Sequence, residues 1–91
     1  MTPRRWELAV AASAERTLAR LPEKAASAVV EFILGPLLEA PKRVGHPLGR
    51  ELEGLWSARR GSYRVVYELA EEEQKVRVVR IEHRADVYRP R

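Results

Sequence analysis

The residues best suited to chemistry on an anion are Arg64, Arg84, His83, His46 and Tyr88, set in the stretches "YRVVY", "HRADVY" and "RVGHPL". Arginine grips phosphate oxygens through a planar fork of donors, histidine moves protons near neutral pH, and tyrosine can donate one. Together they meet the needs of RNA cleavage by the RNA's own 2′-hydroxyl. That reaction needs a base at the hydroxyl, an acid at the leaving 5′-oxygen, and cations for the charge that builds up in the transition state. It requires neither metal nor cofactor. Other chemistries find less support: His46 and His83 lack HxxxH or HxH spacing, cysteine is absent, no serine sits in a nucleophile elbow, and no glycine-rich phosphate loop occurs.

Each of these residues also has an ordinary structural role to weigh against the chemical one. Arg64 shares a strand face with Glu68, a ready ion-pair partner. His83 and Arg84 could simply end a strand, His46 could be a loop residue before a proline, and Tyr88 could anchor a tail. Trp56 and Tyr63 could stack on bases, but they fall at positions that face a core.

The elements that must position these groups follow from periodicity. "RRWELAV" alternates Trp6, Leu8 and Val10 with polar neighbours and predicts an opening strand. Ser13 is placed to cap a helix from about Ala14, with Glu15 near its start and Pro22 limiting it. A second helix follows, with Ala26, Val29, Val30, Ile33, Leu34 and Leu37 on one stripe and a kink or early end at Gly35 and Pro36. Residues 40 to 54, rich in proline and glycine, predict an ordered loop. Then "LWSAR" and "YRVVYEL" flank Gly61 and Ser62 as a tight hairpin, and "VRVVRIEH" makes a last strand in which Val79, Ile81 and His83 share a face. The expected fold is α+β, in the order β-α-α-β-β-β, a mostly antiparallel sheet packed on an N-terminal helical hairpin. With Tyr63, Val65 and Tyr67 under the helices, Arg64 points to the other face.

The chain has 91 residues, the size of a single domain spanning 1–91. No stretch approaches the ~20 apolar residues of a membrane span, and the apolar run after the first residues is too short for a signal-peptide core, so a soluble cytoplasmic protein is expected. Residues 1 to 40 carry five Lys/Arg against five Glu, whereas residues 41 to 91 carry twelve basic against eight acidic groups, so the whole excess of +4 lies in the second part. Arginine dominates that excess, which points to a phosphate-rich partner.

"LEGLWSARRGSYRVVYEL", the terminal "HRADVYR", the upstream "LPEKAASAVVEFI" and the intervening "RVGHPL" together resemble the RelE-type toxins of bacterial toxin–antitoxin pairs. The resemblance covers nearly the whole chain. It implies a small α+β toxin, a cognate antitoxin, and ribosome-dependent mRNA cleavage in the A site. Arg64, Arg84 and Tyr88 match the family's arginines and tyrosine. Where well-known members carry two lysines, this chain has Leu55 and Ser57. Its "GLWSARR" is closer to the "GxWSRR" of the YoeB-like branch, whose glutamate and C-terminal histidine positions look like His46 and His83. On that resemblance His46 and His83 share the acid and base roles, and Lys42, Arg43, Arg50, Arg59 and Arg60 are docking charges for ribosomal RNA. The alternatives are a ParE-type toxin directed at DNA gyrase and a catalytically weak module that binds RNA or antitoxin.

Overall fold

Strict alternation builds the sheet from its central strand outward. In the computed structural model, which describes residues 5–49 and 54–84, strand β4 (Tyr63–Ala70) sends Val65 and Tyr67 into the core, with Tyr63 and Leu69 packed against it. Beside it lie β3 (Leu55–Arg60) and β5 (Lys75–His83), both antiparallel to β4. Gly61, at φ 61°, takes the first place of the two-residue turn between β3 and β4, the left-handed position that glycine occupies without steric cost.

Among the described residues five strands run in the order β1-β5-β4-β3-β2, with β1 (Glu7–Val10) parallel to β5 at one edge. At the other edge β2 is only His46–Pro47, within the expected loop; an edge strand tolerates Pro47 because that side of the chain need not donate. The expected α+β layering holds, with these two additions to it.

Helices α1 (Ala12–Arg20) and α2 (Glu23–Phe32) carry the chain from one sheet edge to the other across a single face. Ser13 does not cap α1. The helix starts one residue before it, and the Ser13 hydroxyl instead donates to the carbonyl of Val79 on β5, at 2.9 Å. Gly35 and Pro36 do not end the second helix. The chain widens into a π-helical turn over Ile33–Leu37, a geometry that accommodates a residue unable to donate in the ladder. Ile33 and Leu37 stay buried there, but Val30 and Leu34, expected on the same stripe, are 36% and 47% exposed. A short helix, α3 (Pro41–Val44), leads into β2.

The apolar face of β5 is not continuous. Val76 and Val78 are buried, and so is Ile81, three positions further on. Register explains the change of step: Tyr67 pairs with Val78 and Val66 with Arg80, which leaves Val79 as an extra residue, a bulge. After the bulge the odd residues face the core and the even ones face away.

Tyr67 ties the loop region to the core. Wholly buried, it donates its hydroxyl to the carbonyl of Pro41 at 2.7 Å and stacks with Trp56, ring centres 6.4 Å apart. Gly45 passes directly over it: a Cβ at Gly45 would run into the Tyr67 hydroxyl and lie 2.7 Å from the Ser57 carbonyl. Gly45→Ala is expected to cost about 1–3 kcal/mol in unfolding experiments, as overpacking does.

Burial pushes the Tyr67 phenol up to about 12 from its ordinary 10. Below pH 10 the proton is held in folded and unfolded chains alike, and stability does not depend on it. Between pH 10 and 12 only the unfolded chain releases it, so stability falls as pH rises, by about 1.4 kcal/mol per pH unit. Denaturant unfolding from pH 8 to 12 should show this fall in the wild type and a shallower one in Tyr67→Phe, offset by about 1–2 kcal/mol for the lost hydrogen bond. Equal slopes would refute the assignment.

Candidate functional site

The face turned away from the helices carries a row of charges that crosses three strands. Arg59 on β3 stands directly opposite Arg64 on β4, and Arg64 directly opposite Glu82 on β5. Two like charges facing each other in a sheet repel, so this end of the face holds excess positive potential. Arg64 donates through Nε (3.2 Å) and Nη2 (2.9 Å) to Oε1 of Glu82, and Arg80 donates through Nε (2.6 Å) to Oε2. Glu82, not Glu68, is therefore the partner of Arg64. The glutamate side chain is 20% exposed and the two arginines 32% and 50%, so the cluster lies at the surface.

Two residues along, the row His46, Ser57, Val66 and Arg80 crosses four strands on the same face. Its ends are exposed, but Ser57 and Val66 are buried. The centre of the face is thus closed, and the accessible part is its cationic end and rim. From strand spacing, the His46 and Arg64 Cα atoms are roughly 12 Å apart, within the combined reach of their side chains.

The expected site residues divide along these lines. Arg64 and His46 share the face, and Arg59, expected as a docking charge, stands with them. His83 belongs to the other face, opposite Tyr63, whose ring meets its imidazole edge-on at 5.0 Å and 77°. Arg84 follows it, exposed, its backbone N–H bonded to the Ser62 carbonyl at 2.7 Å, so it stands beside the β3–β4 turn. Arg60 also turns to the helix side, in a shallow cleft with Glu31, Phe32 and Pro36. Lys42 and Arg43 are exposed on α3, and Lys42 is paired at 2.7 Å with Glu71, beyond the far end of β4 from Arg64. Arg50 and Tyr88 lie outside the described residues. Among the described residues no group of three or more His, Asp or Glu side chains could hold a metal, and no helix is long and apolar enough to cross a membrane.

Arg80 and Glu82 were missing from the sequence-based set. Simple alternation along β5 puts both on the face of Val76 and Val78; only the bulge at Val79 brings them to Arg64. The "VRVVRIE" stretch does carry a signal, since its apolar step of two between Val76 and Val78 becomes three before Ile81.

The chain is similar to known proteins along most of its length. A family model described as the ParE toxin of the type II toxin–antitoxin system parDE matches residues 8–88. Toxin RelE of Mycobacterium tuberculosis is 51% identical over 84 residues, 92% of this chain and 87% of that protein. Toxin RelG of the same organism is 51% identical over 77 residues, 85% of this chain and 88% of that one. In structure, a chain of the toxin–antitoxin complex RelBE2 from M. tuberculosis superposes with a TM-score of 0.86 at 43% identity, covering 89% of this chain and 100% of that one. By sequence and by fold, the chain belongs to the ParE toxin family of type II toxin–antitoxin systems, as a toxin of the RelE type.

Proposed function

We propose that this toxin is a metal-independent endoribonuclease that cuts mRNA in the ribosomal A site and is held in check by a cognate antitoxin. The observation that carries this reading is the gathering of Arg59, Arg64 and Arg80 around Glu82 on the face away from the helices, with His46 on the same face. In the reaction the RNA 2′-oxygen attacks the adjacent phosphorus and the bond to the 5′-oxygen breaks, leaving a cyclic phosphate and a free 5′-hydroxyl. One proton leaves the 2′-hydroxyl and one reaches the 5′-oxygen. Arg64 and its neighbours stabilise the charge that develops on phosphorus-bound oxygens. His46 serves proton transfer on this face. Arg84 and Tyr88, matched to the family's C-terminal pair, complete the set.

The antitoxin is supported by the relatives' assembly as a toxin–antitoxin complex and by exposed Val30 and Leu34 beside Leu8, Val10 and Leu18, apolar surface that a partner would cover. The matched family model carries the ParE name, so a gyrase-directed poison is the second reading.

Brief induction without antitoxin, followed by mapping of new mRNA 5′ ends, separates the two. Cuts within reading frames at the A site are expected; a DNA-damage response without cuts would mean the gyrase poison. Arg64→Ala should lower cutting by roughly 10²–10³-fold and His46→Ala by on the order of 10²-fold. His83→Ala should act mainly on folding, through the lost contact with Tyr63. Undiminished cutting by Arg64→Ala would remove it from the site.

Docking should divide by face. In ribosome binding measured against salt, Arg59→Gln and Arg60→Gln should each reduce the slope by about 1. Only Arg59→Gln, beside Arg64, should also slow cleavage. Lys42→Gln should change the slope less, because Glu71 already offsets that charge.

A further inference from the structure

We infer that the Glu82 carboxylate occupies the seat of the substrate phosphate in the free toxin, and that RNA binds by exchanging a backbone phosphate for it. Three donors from two guanidiniums converge on this one carboxylate, two from Arg64 on Oε1 and one from Arg80 on Oε2. A carboxylate and a phosphodiester present guanidinium with the same feature, a pair of oxygens sharing one negative charge. The convergence that holds Glu82 is thus the geometry that would hold a phosphate.

The cluster is built to open. All three side chains reach solvent, at 32%, 20% and 50% exposure, and ion pairs of that kind hold weakly and weaken further with salt. Arg59, opposite Arg64, leaves the row with more positive charge than Glu82 balances, so an incoming anion is still attracted. Glu82 then acts as a built-in competitor. It keeps the arginines side by side and lowers the affinity of the empty site for stray anions, so that productive binding depends on additional contacts from a larger target. That the exchanged anion is RNA rests on the nuclease reading; the exchange itself does not.

The exchange is tested with inorganic phosphate alone, titrated into the full chain while the Nε–H signals of Arg64 and Arg80 are followed by NMR. Glu82→Gln keeps the side chain's size and removes its charge. It should bind phosphate on the order of fivefold more tightly than the wild type at low salt, an advantage that shrinks as salt rises. Glu82→Asp, too short to span both arginines, should fall between them and serves as the second variant should Glu82→Gln fold poorly. Equal or weaker phosphate affinity in the folded variants would overturn the inference, even if mRNA cutting is found. Tighter binding would uphold it even if no variant cuts mRNA, which would remove the nuclease reading alone.

Discussion

The arrangement of this face depends on a single extra residue. Val79 has no counterpart on β4, and by inserting itself it reverses the parity of β5 halfway along. Before it, even-numbered residues fill the core; after it, even-numbered residues leave the core for the opposite face. Without the bulge Arg80 and Glu82 would point under the helices, where two charges would have to be desolvated, and Ile81 would point away. The bulge is held from the helical layer, because Ser13 at the start of α1 donates to the Val79 carbonyl. A carbonyl left over by the irregular ladder thereby finds a donor, and the helix is fixed to the strand at the place where the strand changes face.

On the other side of the sheet the same logic runs through Tyr67. Its ring belongs to the core, but its hydroxyl needs a partner there and finds it in the Pro41 carbonyl. That bond, with the close pass of Gly45 over the phenol, draws α3 and β2 against β3. His46 is the first residue of β2, so its place in the row with Ser57, Val66 and Arg80 is set by an interaction on the opposite face. A buried hydroxyl and a missing Cβ on the helix side of the sheet thus help position a histidine on its outer face.

Much of this was legible in the sequence where one period ran undisturbed. "YRVVYEL" alternates cleanly, so the facing of Val65, Tyr67 and Arg64 followed at once, as did the hairpin at Gly61 and Ser62 and the α+β layering. What was not legible came from events that periodicity cannot express. Ile81 and His83 do share a face as their spacing suggests, but the bulge sets Val79 apart from them and hid Arg80 and Glu82. Nor does a stripe counted along the second helix show that Val29, Ile33 and Leu37 are its buried line while Val30 and Leu34 lie at the surface. Pro41 and Gly45 looked like loop residues because their role lies in contacts with Tyr67, distant in sequence. His83 and Arg64 looked like companions because both lie near strand ends, yet the Tyr63–His83 and Arg64–Glu82 pairings put them on opposite faces.

The cationic row also shows where this chain departs from what stability alone would favour. Arg59 opposite Arg64 is a repulsive cross-strand pair, and a neutral residue at either place would remove the conflict. Glu82 relieves the repulsion only in part, because it divides its two oxygens between Arg64 and Arg80. Local conflict of this kind, in a chain whose other elements agree with their surroundings, is expected where binding rather than folding selects the residues. The core beneath is apolar and closed, with Val65, Tyr67, Val76 and Val78 wholly buried. Three arginines thus gather on the outer face of a sheet whose other face is fully packed.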